Sequence, residues 1–405
     1  MYFLLPTDYP LSILKSPTGK SVTNLSFSMK SIKERFLALD VFRGMTICFM
    51  IIVNTPGSGA NPYPPLEHAT WFGFTPTDLV FPSFLFAVGN AMSFSQEKYK
   101  LISNSAFLTK VIKRTLLIFL IGYLMYWFPF FRLDAAGHII GAPISHTRIM
   151  GVLQRIALCY FFGSLLVQYF STNKVVITSI ILLVGYWFIL LAFGNPSQPF
   201  SMMGNAGIYL DKFLMGNDHL YHGEGIPFDP EGWLSTIPSI VNVVIGFLAG
   251  RFIQKKGKSF ECLSKLMLMG ALLIFIALCW NLVFPIGKKL WTSPFVLLTS
   301  GIDLILISTL IYIIEMKNWK AFKWPDFFMI FGRNPLFIYI LSELFVVILF
   351  MIPVGQENLF GFVNRTFFQV IAPGPFGSFL FAICYMLFCW SVGWWLNKRK
   401  IYVKV

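Results

Sequence analysis

The stretch VVITSIILLVGYWFILLAFG, residues 175–194, contains no charged side chain and decides the fold class. At 1.5 Å of rise per residue it makes a helix about 30 Å long, the thickness of a bilayer's hydrocarbon core, so it reads as a membrane-crossing helix. The same signal recurs on both sides of it. Apolar runs bounded by charge clusters and Gly/Pro turns predict ten spans at about 37–54, 79–95, 108–129, 149–171, 175–194, 236–254, 265–284, 294–315, 327–352 and 373–397. Of 405 residues, 56% are apolar and 12% charged, well outside soluble composition. The fold class is therefore an all-α polytopic membrane protein with about ten transmembrane helices, with no room for a sizeable domain outside the bilayer.

Most of the 32 basic residues fall in alternate connections. Cytoplasmic loops retain Lys and Arg, which places those connections and both termini in the cytosol. The net charge of +14 is then a matter of topology and does not call for nucleic acid. The expected organisation is a short cytosolic lead-in at 1–35, a single transmembrane domain at 36–398 and a cytosolic tail at 399–405. The lead-in lacks the basic-then-apolar order of a cleavable signal peptide. Six cysteines show no metal-ligand spacing, and five lie in apolar runs, so neither disulfides nor a metal is expected.

Three connections on the outer side, 55–78, 130–148 and 195–235, are longer than ordinary turns and rich in Gly, Pro, His, Trp and Asn. They hold all five histidines, His68, His138, His146, His219 and His222. Loops of this length usually carry function. The densest group of reactive side chains runs from Val53 to Phe86, where Asn54 ends one span, Asp78 begins the next, and His68 and Trp71 lie between. A histidine beside an apolar cavity takes a proton near neutral pH, an asparagine amide donates to an oxyanion, and an aspartate orients the imidazole. Those residues suit acyl transfer, although a lone loop histidine is more often an ordinary surface residue.

Charges inside spans are costly and mark cavities or partners. Asp40 and Arg43 are three residues apart on one face of the first span, where they either form a structural pair or leave Arg43 to meet phosphates entering from the cytosol. Arg155 sits about two turns inside the fourth span and needs an anion, whether Asp303, Glu343 or a ligand phosphate. Arg333 and Asn334 open the ninth span, with Ser342 and Glu343 about two turns on. A secondary transporter or exporter for an amino sugar or envelope glycan would use such charges as a relay, and a scaffold would use them to fix packing.

Several of these segments resemble the transmembrane acyltransferases related to heparan-α-glucosaminide N-acetyltransferase. The similarity is carried by the Asn54–Asp78 region, by Leu39-Asp40-Val41-Phe42-Arg43-Gly44, by Arg148 through Ala157, by Asp229-Pro230-Glu231-Gly232 with Ser235 through Ile240, by Lys289 through Phe295, and by Gly332-Arg333-Asn334-Pro335-Leu336. It runs in order over about residues 34–397. The resemblance implies acetyl transfer from cytosolic acetyl-CoA, as co-substrate, to the amine of a glucosamine-type sugar on the other side. By the same resemblance His68 is the catalytic histidine, Asn54 acts beside the acetyl group and Asp78 is the acidic residue of the motif. Arg43, Arg155, Arg333 and Asn334 are expected at the CoA, and Glu67, Trp71 and Trp291 at the acceptor. Where the family often has Trp-Asn-Gly, this chain has Trp71-Phe72-Gly73, which removes an amide from the sugar side. No large lumenal region precedes the similar stretch, so the acceptor expected is a small amino sugar or an envelope glycan. The family's bacterial members imply an inner-membrane location and suggest a homodimer.

Overall fold

The computed structural model describes residues 36–57, 62–133, 138–319 and 323–403, so the expected lead-in at 1–35 and the last two residues of the tail lie outside the described residues. Helices form at each apolar stretch: α1 (Leu37–Asn54), α2 (Val80–Tyr99), α3 (Asn104–Trp127), α4 (Val152–Tyr169) and α5 (Thr172–Phe193). A short α6 (Ala206–Met215) lies in the long connection at 195–235, followed by α7 (Trp233–Lys256), α8 (Phe260–Trp280) and α9 (Ser293–Leu310), which continues in wider turns to Met316. Then come α10 (Trp324–Arg333), α11 (Pro335–Met351), the short α12 (Leu359–Val363) and α13 (Gln369–Ile371), and α14 (Pro375–Lys398).

Among the described residues, α1, α4, α5, α7, α8, α9 with its extension, and α14 are the seven helices long and apolar enough to cross a membrane. The bent pair α10 and α11 would make eight. The helices α2 and α3 have 20 and 24 residues, but α2 buries Ser83, Asn90, Ser93 and Gln96, and α3 carries Lys110, Lys113 and Arg114 in its first half. The protein is thus an all-α polytopic membrane protein, with two small antiparallel ribbons among the described residues. These are β1 (Phe131–Leu133) with β2 (Ile139–Gly141) and β3 (Pro353–Val354) with β4 (Glu357–Asn358).

The stretch predicted as one span at 327–352 is broken in the structure. Pro335 lacks an N–H, which interrupts the hydrogen-bond ladder, and α10 and α11 meet at 81°. A carbonyl freed at that break, that of Gly332, accepts from Arg43 Nε at 3.0 Å and from Arg43 Nη2. Elsewhere the ends are closed locally: Ser103, Asn205 and Ser259 side chains accept from Ala106, Ile208 and Cys262 N–H groups at the starts of α3, α6 and α8.

Helix α2 packs along α7, α1 along α10, α3 along α4 and α8 along α9, with α4 and α5 also against α7. Small residues set the closest approaches, as expected where lipid supplies no hydrophobic drive between helices. A Cβ added at Gly89 would lie 1.8 Å from the Val243 carbonyl oxygen, and one at Gly246 would lie 2.0 Å from that of Phe86. The α2 and α7 backbones therefore touch at two levels. That contact fixes the loop that precedes each helix, one bearing Asp78 and the other Glu231.

Candidate active site

A cavity of about 570 Å³ runs between α1, α2, α4 and α11. Its volume is that of a site for a sizeable small molecule. Along α1 its wall extends from Arg43 to Asn54, and along α2 from Val80 to Tyr99; at 1.5 Å per residue the second distance is about 28 Å. One end carries Asn54, His68, Glu231 and Lys288, and the other carries Arg43, Tyr99, Arg114, Arg333 and Val403. Between them the walls are chiefly apolar, with Phe81, Phe84, Ile156 and Leu336 among the lining residues.

At the first end, His68 and Asp78 meet because the chain turns tightly between them. Residues Pro76–Leu79 form a single turn of helix, with Pro76 at its start and Thr75 and Asp78 capping one another. Asp78 is fully buried. Its Oδ2 accepts from Ala69 N at 3.2 Å, Thr75 N at 3.0 Å and Thr75 Oγ1 at 3.1 Å. Its Oδ1 lies 2.7 Å from His68 Nδ1. A carboxylate only accepts, so Nδ1 carries the ring hydrogen and Nε2 is left with its lone pair. Burial alone would push the Asp78 carboxyl up, but the His68 hydrogen bond, the charge of Lys288 and the two backbone donors outweigh it and hold the group below its ordinary value.

Lys288 enters from the connection between α8 and α9. Its Nζ stands 3.1 Å from His68 Nδ1, 3.0 Å from His68 Nε2 and 3.9 Å from Asp78 Oδ1. Burial lowers this lysine to about 8, against the opposing pull of Asp78 and Glu231. Beside it, Glu231 is held by Arg148 at 2.6 Å, and the same guanidinium clasps Asp229 at 2.9 Å and 2.6 Å. The Tyr126 and Tyr221 rings flank Arg148 at 4.9 Å and 4.7 Å. Burial would raise Glu231, but Arg148 and Arg155 keep it below its ordinary value. This first end thus offers an oriented imidazole, a cation and an anion around one opening.

Asn54 closes α1 and lines the same cavity, with Nδ2 donating to Glu343 Oε1 at 3.3 Å. That leaves the second amide hydrogen available to another acceptor. At the far end, Asp40 and Arg43 pair at 2.9 Å, and Arg333 donates to Asn397 Oδ1 at 2.5 Å. Both arginines line the cavity. Asn334 faces the tail instead: it donates to the Ile401 carbonyl at 3.0 Å and accepts from Val403 N at 2.9 Å, which brings Val403 to the cavity wall.

Arg155 is fully buried and its contacts differ from those expected. Its hydrogen bonds go to the Gly232 carbonyl and Ser235 Oγ, and its guanidinium lies 4.8 Å from the Trp291 ring. Asp303 instead accepts from Ser83 at 2.5 Å, and Glu343 from Asn54. Arg155 stands behind the cavity wall, at the start of α7, where its charge reaches Glu231. Trp291 is only 1% exposed, enclosed by Phe81, Phe295 and Arg155, with its N–H given to Asn242 at 3.1 Å. Trp71 donates to the Phe200 carbonyl at 2.9 Å and packs edge-on to Phe228, while Glu67 is exposed. Of the residues expected at the acceptor, none is among those lining the cavity.

Sequence reading passed over three residues of this cavity. Nothing in the sequence singles out Lys288 or Arg114 among the many basic residues, and Glu231 enters only through the Asp229-Pro230-Glu231-Gly232 motif. Arg114 projects from α3 over the Tyr160 ring at 4.6 Å, and its Nε is buried without a hydrogen-bond partner. An arginine in the basic first half of such a helix gives no signal of which way it points.

The family model for heparan-alpha-glucosaminide N-acetyltransferase, catalytic, matches residues 35–278. The Homo sapiens protein of the same name is 27% identical over 386 residues, covering 81% of this chain and 56% of that protein. The Mus musculus protein is 27% identical over 372 residues, covering 78% and 54%. This chain therefore spans little more than half the length of these relatives.

Proposed function

The chain belongs to the heparan-alpha-glucosaminide N-acetyltransferase catalytic family, and from that premise we propose that it carries an acetyl group across a membrane. The donor is acetyl-CoA on the cytosolic side and the acceptor is the amine of a glucosamine-type sugar, or an envelope glycan bearing one, on the other. The observation that supports this reading most is one cavity with arginines at one end and an Asp78-oriented histidine at the other. In this reading α2, α3 and the bent pair also cross, giving ten spans with both termini cytosolic, and the membrane is a bacterial inner membrane.

Arg43, Arg114 and Arg333 hold the nucleotide phosphates, since guanidinium matches phosphate geometry. The pantetheine arm lies along the apolar walls, with the thioester beside Asn54. The acceptor amine enters uncharged near Glu231, whose carboxylate accepts one of its N–H groups. His68 Nε2 takes an amine proton as nitrogen attacks the thioester carbonyl carbon, and Asp78 stabilises the resulting imidazolium. The Asn54 amide donates to the oxyanion. The carbon–sulfur bond then breaks, and His68 returns the proton to the departing thiolate, so acetyl-CoA and free amine become CoA and amide.

The test supplies purified chain in liposomes with acetyl-CoA and glucosamine and measures free CoA and N-acetylglucosamine together. Stoichiometric release of both by the wild type, and its loss in His68→Ala, is expected. A wild type that leaves the thioester intact with every amino and hydroxyl sugar offered would refute the reading and favour an exporter.

A further inference from the structure

The position of Lys288 is unusual for a lysine near a carboxylate. Its ammonium pairs at long range with Asp78, 3.9 Å from the Oδ1 that also takes His68. It comes closer to His68, at 3.0 Å and 3.1 Å from the two ring nitrogens. Near-equal distances to both nitrogens set the cation over the ring, roughly at a right angle to the Nδ1–Oδ1 hydrogen bond. Two charges meet one imidazole, and they act oppositely: Asp78 favours the protonated ring and Lys288 disfavours it.

We propose that Lys288 is a positioning residue for His68: its ammonium, set over the ring within reach of both nitrogens, keeps the imidazole neutral and ready to accept while Asp78 fixes which nitrogen carries the hydrogen. The inference rests on the acetyl-transfer reading for its purpose, though its effect on the ring does not. An oriented histidine beside a buried carboxylate would otherwise be drawn to hold a proton before the acceptor arrives, and a protonated ring is no base. The groups facing Lys288 are His68 and Asp78 from the loop before α2, Glu231 from the loop before α7, the adjoining Lys289, and Arg155 from α4. Glu231 and Asp78 keep the ammonium charged, and Arg155 and Lys289 oppose them. Burial brings Lys288 down to about 8, so the charge persists through neutral pH and fades above that.

The sign follows directly. Removing a cation beside a base favours its protonated form, so the base loses its proton only at higher pH. The full chain is labelled with ring-13C histidine, placed in nanodiscs, and titrated by NMR, with the His68 signal assigned from its loss in His68→Gln. In Lys288→Met the His68 midpoint is expected to rise by about one pH unit, a tenfold change in proton affinity, while Lys288→Arg keeps the wild-type midpoint. Lys288→Gln substitutes for Lys288→Met if the latter unfolds. The acid limb of kcat/KM for acetyl transfer should move up by the same amount in the same variant, with alkaline rates preserved. A midpoint that stays or falls without the lysine, or one that Arg shifts as far as Met, overturns the inference. Absence of acetyl transfer by the wild type would overturn the functional reading instead, since the NMR midpoint is read without turnover.

Discussion

Asp78→Asn changes one atom and one charge at a point where four hydrogen bonds converge. Oδ2 takes three donors, from Ala69 N, Thr75 N and Thr75 Oγ1, and Oδ1 takes His68 Nδ1. Asparagine has one acceptor oxygen, so satisfying the three donors turns its NH2 toward His68. The ring must then accept at Nδ1 and carry its hydrogen on Nε2, the nitrogen that should take the proton. The lost charge-assisted bond is worth about 1.5–3 kcal/mol, or roughly 10- to 150-fold. The wrong tautomer adds to this; the same exchange in the serine-protease triad costs about 10⁴. We therefore expect kcat to fall by about 10² to 10⁴, with the KM for acetyl-CoA little changed because the nucleotide end is remote. The assay is release of free CoA from acetyl-CoA in the presence of glucosamine, on protein whose thermal unfolding matches the wild type. A folded Asp78→Asn protein that retains kcat within about threefold would refute the assignment of the His68–Asp78 pair.

Three further outcomes are expected. Arg114→Met should weaken CoA binding by roughly 10- to 150-fold, the worth of one charge-assisted hydrogen bond, measured by calorimetry; equal affinity would remove Arg114 from the donor site. Asp211, buried in α6 with its Oδ1 accepting from Trp233 N at 2.9 Å, is pushed up to about 7 by burial. The folded protein then holds a proton that the unfolded chain releases near pH 4, so stability should fall as pH rises toward 7, by up to about 1.4 kcal/mol per unit, and level off above. Asp211→Asn keeps the acceptor for Trp233 and should flatten that slope in melting scans from pH 5 to 7; an unchanged slope would assign it elsewhere. Gly246→Val places a side chain 2.0 Å from the Phe86 carbonyl oxygen and should cost at least about 1–3 kcal/mol, read as a lower unfolding temperature in detergent, with an unaltered value counting against close α2–α7 packing.

The sequence by itself determined that this chain lives in a membrane as a bundle of helices, because hydropathy is a sum over consecutive residues and needs no knowledge of neighbours. The run at 175–194 is α5, which begins at Thr172 and ends at Phe193. The pairing of His68 with Asp78 was legible for a related reason: ten residues and a capped turn separate them, so local geometry brings them together. The Asp40–Arg43 pair, three residues apart on one helix, was equally local. Tertiary structure alone decided what lies 220 residues away, the ammonium of Lys288 against the His68 ring. It also decided that Arg114 turns toward the cavity, that Arg155 rests on Trp291 and Gly232 in place of a carboxylate, and that Asn334 holds Val403. Periodicity marks that a residue is helical, but the side it presents depends on which helices adjoin. Here that is set by backbone contacts such as Gly89 on Val243 and Gly246 on Phe86, whose partners lie more than a hundred residues apart along the chain.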